Sequence, residues 1–229
     1  MKTLLRIVPL MLAAAIARAD IVIEQKMESL VINGNMTTRI KGDLARIDMP
    51  NPLGGNVITL MNFKSGEMVM LMLVNQQKMA MKMNMADLKK QQEAGQKRLG
   101  VDPAKFEPKP TGESEKLGEY TTEIFETSQG GMQVKLWIVK DYPNAKAIKD
   151  QMLKLSATMG GRMGFDAGKF DVPGMAVKTE VITPLGKMTV TLVKAAEEAV
   201  DDAEFKQPEG YQEMKIPTFA APEAPAPPK

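Results

Sequence analysis

The 229-residue chain contains no cysteine and no histidine. Without cysteine it can form no disulfide, even in a compartment that allows disulfides, and no lipid can be attached through a cysteine. Without histidine it lacks the commonest general base, the serine and cysteine triads that use that base, and the main ligand of zinc and copper(II) sites. These absences exclude histidine-dependent catalysis and most zinc and copper(II) chemistry.

A long hydrophobic run is also absent beyond the first nineteen residues. Within residues 1–19, two basic side chains precede a mostly apolar segment, residues 7–17. Small residues at positions 17 and 19 form a cleavage site before Asp20. This layout predicts a signal peptide over residues 1–19, because a membrane span needs about 20 apolar residues and this run is shorter. We expect an exported protein, periplasmic or outer-membrane-associated or extracellular, that does not span a membrane after cleavage.

The mature domain is expected to be nearly neutral. The chain has 30 Lys and Arg against 28 Asp and Glu, and cleavage removes Lys2, Arg6 and Arg18. That leaves 27 basic side chains against the same 28 acidic ones. With no basic patch in the sequence, we do not expect the protein to bind nucleic acid.

Methionine, by contrast, is abundant. The chain has 20 methionines, and seven of them lie at alternate positions within residues 67–85. A period of two is typical of a β-strand, and the polar residues 75–78 between the two runs predict a hairpin. We expect Val74 to pair with Met79. This register would place Met72 opposite Met81, Met70 opposite Met83 and Met68 opposite Met85, with all six on one face.

The neighbouring strand is expected to extend this face. A three-residue turn at 64–66 would bring Leu60 and Ile58 beside the methionines, whereas a tighter turn would bring Met61 and Phe63. The methionine strand also carries Val69, Leu71 and Leu73 on its other face. A strand that is apolar on both faces is expected to be central and covered on both sides.

Strand patterns joined by short turns continue through most of the chain. They predict a mainly β (α+β) fold, a curved antiparallel sheet or half-barrel of about ten strands closed by one or two helices. One helix has an apolar stripe, and a short solvated helix is expected over residues 86–98. Residues 99–112 are predicted as a connector and residues 116–127 as one strand. The stripe consists of Ile148, Met152, Leu155 and Met159.

We find no sharp boundary inside residues 20–217, which predicts a single domain. The last twelve residues, 218–229, are rich in proline and alanine. Such a composition cannot bury a core, so we expect a disordered tail. A tail of this kind could reach a partner protein of the cell envelope.

Several segments together resemble bacterial exported proteins of domain-of-unknown-function family 4412. Besides the exported start and the methionine hairpin, they are residues 110–113 leading into 116–120, then 135–141, 173–179 and 205–217. The resemblance implies a fold like that of periplasmic lipoprotein carriers of the LolA type, with helices closing a half-barrel over an apolar cavity. It implies no catalytic residues. The chain departs from the family pattern in lacking a cysteine on the strand after Gly118.

Enzyme motifs are weak. The acid pairs Glu197-Glu198 and Asp201-Asp202 are sequence neighbours in a charged context, which is typical of solvated loops. The serines have no histidine to activate them, and no glycine pair opens a phosphate-binding loop. We therefore expect no enzymatic activity, no cofactor and no metal site among conventional ligands.

The methionine surface leaves three interpretations open. It could hold a lipid or lipoprotein acyl chain, because methionine suits surfaces that accept varied apolar shapes. It could hold copper(I), since thioethers are soft donors, or it could be packed core. We expect a non-enzymatic exported domain that binds a hydrophobic ligand, with a structural or interaction module as the alternative. The predicted site residues are Met68, Met70, Met72, Met81, Met83 and Met85, with Met79 at the rim.

Overall fold

The structure is a computed structural model that describes residues 20–52, 54–90, 107–129, 131–159, 172–184 and 186–214. The predicted signal peptide and the proline-alanine tail lie outside these ranges. Within them, twelve β-strands form one large, curved, open sheet accompanied by two α-helical segments. The prediction of a mainly β fold is confirmed, and the expected number of about ten strands was too low.

The sheet is built from neighbouring strands that follow one another along the chain. Its order is β12-β6-β5-β4-β3-β2-β1-β11-β10-β9-β8-β7, and every pair is antiparallel except β12 with β6. The first six strands therefore form one meander and β7 to β11 a second, joined where β1 pairs with β11. The strands are β1 (Ile21–Ser29), β2 (Asn33–Lys41), β3 (Leu44–Pro50), β4 (Asn56–Asn62), β5 (Glu67–Val74), β6 (Gln77–Asn84), β7 (Lys109–Leu117), β8 (Tyr120–Gln129), β9 (Met132–Val139), β10 (Met175–Thr183), β11 (Gly186–Glu197) and β12 (Gln212–Glu213).

Both helical segments pack against the same face of the sheet, which we call the helix face. Residues 85–90 are helical and contribute Met85 and Leu88 to a core cluster with Met68. Helix α1 (Ala145–Met159) packs Ile148 against the start of β1. The predicted apolar stripe is confirmed for Ile148, Met152 and Leu155, which all contact core clusters.

Smaller clusters lie on both faces of the sheet. One centres on β9, where Val134, Leu136 and Ile138 are fully buried, while the neighbouring Trp137 belongs to a separate cluster. Leu136 pairs with Thr179 and Thr179 with Val190, which packs against the main core cluster, so this side of β9 belongs to the helix face. The cluster of Leu60, Leu71 and Ala80 lies on the outer face. The strict alternation of a β-strand produces this division, because successive side chains point to opposite faces.

Two parts of the predicted layout are wrong. β7 begins at Lys109, inside the expected connector, and the expected strand over 116–127 is interrupted by a turn at Gly118. Gly118 has a φ of +59°, a left-handed conformation that glycine adopts without a Cβ penalty. Pro110 and an irregular register up to Ser114 disguise β7 as a loop in the sequence, as is typical of an edge strand.

The C-terminal segment 198–214, which we call the strap, crosses the outer face. At its start, the Lys41 ammonium donates a hydrogen bond to the Val200 carbonyl at 2.6 Å. Further along, Arg46 donates to the Glu204 carbonyl at 3.0 Å. The strap ends as β12, which adds a short parallel strand beside β6. No helix among the residues described is long and apolar enough to cross a membrane.

Candidate functional site

The methionine hairpin forms as predicted, but with a different register. Asn75 and Gln76 have φ values of 50° and 65°, and Val74 pairs with Gln77. Two central residues with positive φ make a type I′ turn, whose twist matches that of antiparallel strands. The observed partners are Met72 with Met79, Met70 with Met81 and Met68 with Met83.

The predicted register was therefore wrong by two residues. We expected a four-residue loop at 75–78, whereas the turn needs only Asn75 and Gln76. Because side chains alternate with a period of two, a shift of two residues leaves every methionine on its predicted face. All six strand methionines still lie together, and they lie on the helix face, where Met68 and Met83 contact the core.

The base of the hairpin is closed. Met68 is 2% exposed and Met85 is 6% exposed. Met85 does not belong to the strand ladder as expected, because it begins the helical residues 85–90 and its amide donates to the Gly66 carbonyl at 2.9 Å. Both methionines pack with Leu88 in the main core cluster, and Met83 packs against it from the edge.

The upper part of the hairpin differs from its base. Met70, Met72, Met79 and Met81 are half-buried, and none of them belongs to the core clusters formed by the part of the chain that the structure describes. We call these four residues the methionine quartet. They form two directly facing pairs on adjacent strands, so opposed Cβ atoms lie about 5 Å apart.

The adjacent strand β4 meets β5 through a longer turn than either alternative considered. Asn62 pairs with Glu67, which places Met61 opposite Met68 and Thr59 opposite Met70. Met61 thus extends the methionine surface on the core side. Leu60 and Ile58, one of the two expected pairs, instead face the outer side with Leu71.

The outer side of the same hairpin is covered by the strap. Tyr211 packs against the cluster of Leu60, Leu71 and Ala80, and Lys78 lies 5.7 Å from the centre of its ring. Lys82 forms an ion pair with Glu213. This confirms that residues on both faces of β5 are buried. Sequence patterns did not identify the cover, because a lone tyrosine in a polar segment has no periodicity.

The charged groups near the strap have structural partners. The Lys41 ammonium binds the Asp202 carboxylate at 2.8 Å, and this hydrogen bond lowers the pKa of Asp202. Asp201 accepts a hydrogen bond from the Ala203 amide at 2.9 Å and caps the 3₁₀ helix Asp202–Phe205. Arg46 binds Asp48 through two nitrogens, and the hydrogen bond to Asp48 is the largest contribution that raises the pKa of Arg46. These acids hold the strap in place.

A cavity of about 320 Å³ lies beside helix α1, away from the hairpin. Its charged side chains already have partners: Lys146 pairs with Asp150 at 2.8 Å, and Lys149 donates to the Val172 carbonyl at 3.1 Å. None of the predicted site methionines lines this cavity. Within the described ranges, no group of three or more Asp or Glu side chains could hold a metal ion.

The sequence matches the family model "Domain of unknown function (DUF4412)" over residues 21–211. The chain belongs to this family. The resemblance recognised in the sequence motifs is thereby confirmed, and the family description assigns no activity. Comparison with curated proteins gives no match.

Solved structures give distant similarities. A structure of PNGF-II in space group C2 is 15% identical, with a TM-score of 0.37 over 87% of this chain and 31% of that one. The chain thus spans about a third of the length of PNGF-II. The Mycobacterium tuberculosis lipoprotein LppX is 8% identical, with a TM-score of 0.43 over 80% of this chain and 88% of that one. Both TM-scores lie below 0.5, so neither likeness supports a conclusion about the fold or the function of this chain.

Proposed function

We propose that this domain binds a hydrophobic molecule, such as a lipid or a lipoprotein acyl chain, against the methionine quartet. The observation that carries the proposal is the change along one hairpin, from methionines sealed in the core at its base to the half-buried quartet above them. A surface of four thioethers that the described core leaves partly open is a place where an apolar ligand gains by excluding water.

Methionine suits such a ligand for a physical reason. Its side chain is unbranched and has three rotatable bonds, so four of them can adjust to chains of different length and curvature. Each Å² of apolar surface removed from water contributes about 25 cal/mol, and no hydrogen bond is required. The quartet would therefore provide affinity with little specificity for the exact chain.

The remainder of the hairpin would supply a fixed floor. Met68 and Met83 join the quartet to the main core, while Leu71 and Tyr211 hold the outer face of the same strands. The ligand would thus lie on a sheet that is secured from behind. The acid pairs Glu197-Glu198 and Asp201-Asp202 contribute nothing to this surface.

Native mass spectrometry of the exported protein tests this proposal. We expect bound lipid with the wild-type chain and its loss in the double variant Met70→Gln/Met81→Gln, which keeps length but adds polar groups. The matched control, Met70→Leu/Met81→Leu, keeps an apolar surface and should retain the lipid. Absence of lipid from the wild type, or equal lipid in both variants, would show that the quartet is not a binding surface.

Copper(I) binding is a second candidate, favoured by one observation: two facing pairs bring four soft donors together on one face. Limited peroxide treatment followed by peptide mapping separates the candidates, because oxidant must reach a thioether to form the sulfoxide. Lipid should protect the whole quartet, whereas copper(I) should protect two or three methionines only when it is added. Resistance of all four in the native protein without additives would indicate packed core.

A further inference from the structure

The two ends of the sheet differ in their chemistry. Antiparallel pairing brings five turns to one end, which we call the turn end: β1–β2, β3–β4, β5–β6, β8–β9 and β10–β11. Neighbouring turns there are in close proximity. A Cβ placed on Gly186 would lie 2.8 Å from Cδ1 of Leu30, and one placed on Gly34 would lie 3.1 Å from Cγ of Pro50.

Exposed apolar side chains concentrate at the turn end. Leu30 is 80% exposed and Val31 is 72% exposed, although most side chains of this type are buried. Leu73 and Val74 at the tip of the methionine hairpin are 46% and 39% exposed, and Ile182 at the end of β10 is 38% exposed. Only Val193 and Leu153 among the large exposed hydrophobic residues of the described chain lie elsewhere.

The same end carries no charge in its turns. A quarter of the chain is Asp, Glu, Lys or Arg, yet none occurs in the five turn segments, which are rich in Asn, Gln, Ser and Gly. Four connections at the opposite end all contain charged residues, in segments 41–44, 62–67, 117–120 and 140–145. The uncharged segments are 29–35, 50–56, 73–77, 128–133 and 182–186.

We propose that the turn end docks on the surface of a lipid bilayer. Its exposed apolar side chains project from separate turns in a row. Six strand spacings separate β5 from β10, so the row is on the order of 30 Å long. A bilayer interface accepts separate apolar projections without matching their shape, whereas a protein partner needs a packed patch. Neutral amide side chains between the projections can hydrogen-bond to headgroups, and the five turns themselves bring no charge toward the acyl region. The nearest charged side chains, Lys78 opposite Leu73 and Lys187 opposite Ile182, belong to the flanking strands.

Docking in this orientation would also place the methionine quartet next to the membrane. Met72 and Met79 lie three residues from the hairpin turn at 75–76, so the quartet is at the same end of the sheet as Leu73 and Val74. The docking does not rest on the proposed ligand site, because the exposed turn residues are different side chains.

Flotation with vesicles of phosphatidylethanolamine and phosphatidylglycerol tests the docking directly. The wild-type chain should float with the vesicles, and the double variant Leu30→Ser/Val31→Ser should partition at least about tenfold less, since two exposed apolar side chains no longer enter the interface. The matched control is Val193→Ser, which removes a side chain 62% exposed in the middle of β11. It should float like the wild type. A wild-type chain that stays in solution, or equal flotation of the double variant, would overturn the proposal.

A second measurement does not depend on removing apolar groups. Tryptophan fluorescence of Val31→Trp should be quenched by brominated lipids, while that of Val193→Trp should not. The native Trp137 is 4% exposed and gives the same background in both. Sedimentation equilibrium could contradict membrane docking. If the wild type is a dimer and the Leu30→Ser/Val31→Ser variant is a monomer, the turn end binds a second copy of the chain instead. Met70→Gln/Met81→Gln should still float, so failure of the ligand proposal and failure of docking are distinguishable.

Discussion

Truncation of two methionines in the same strand tests whether the quartet is a surface or a core. Met68 is 2% exposed and lies within the main cluster, while Met72 is half-buried and lies outside it. Both are on β5 and both point to the helix face. The pair thus matches residue type, strand and direction, and differs only in what surrounds the side chain.

The expected magnitudes follow from this difference. Met68→Ala removes a fully buried side chain and leaves a cavity, which costs about 2–5 kcal/mol of unfolding free energy. Met72→Ala removes a side chain that is partly in water and leaves no closed cavity, so it should cost less than about 1 kcal/mol. In a domain of this size, a loss of about 3 kcal/mol corresponds to a fall in Tm of about 6–12 °C.

Urea unfolding of both variants, followed by circular dichroism, measures the two costs. The m-value should stay constant, which shows that the change lies in stability and not in compactness. The isosteric controls Met68→Leu and Met72→Leu should each cost less than about 1.5 kcal/mol. Equal and large costs for the two alanine variants would show that the quartet is packed as tightly as the base, and the proposed site would then be untenable.

Three further predictions concern the elements that position the hairpin. Gln76→Gly should stabilise the protein by about 0.4–1 kcal/mol in urea unfolding, because Gln76 has a φ of 65° and glycine adopts this conformation without a Cβ penalty; Gln77→Gly, in the strand, should destabilise it. Gly174→Ala should lower Tm by several degrees, since its φ is +120° and a Cβ would collide with the Val139 carbonyl oxygen; an unchanged Tm would contradict this geometry. The hydrogen bond from Lys41 lowers the pKa of Asp202 below its ordinary value of 3.8. The stability that this bond contributes is therefore present above pH 3.8 and is lost as the pH falls through the lowered pKa. Between pH 6 and pH 2, the urea midpoint of the wild type should fall more than that of Asp202→Asn.

Local periodicity was sufficient to identify the hairpin and its faces. Alternating methionines between residues 68 and 83 define one side of a sheet, and the shift of two residues between the predicted and the observed register leaves them there, because an even shift preserves the face. Pattern alone could not fix the register. The choice between a four-residue loop and the turn at Asn75 and Gln76 depends on backbone φ values that those two residue types adopt only in some contexts.

Local periodicity could not predict contacts between distant parts of the chain. The cover of the outer face comes from Tyr211, more than a hundred residues after Leu71, and its segment carries no strand or helix period. β7 was missed for a related reason: Pro110 and Gly112 read as loop residues, but an edge strand tolerates them where its partner bonds are interrupted. The charge-free turn end likewise became visible only when the strand order placed five separate turns side by side.

The two faces of β5 explain why the quartet is of interest. Val69 and Leu71 on the outer face acquire a specific cover, the strap, which is held by the ion pairs of Lys41, Arg46 and Lys82. On the helix face, residues 85–90 cover Met68 but the described core does not extend over the quartet. The half-buried methionines of the hairpin then lie toward one end, continuous with the exposed Leu73 and Val74 at the turn. Along β5 this apolar face becomes more open toward a turn that carries no charge. Such an arrangement is expected if the same end of the sheet meets a membrane and receives an apolar chain from it.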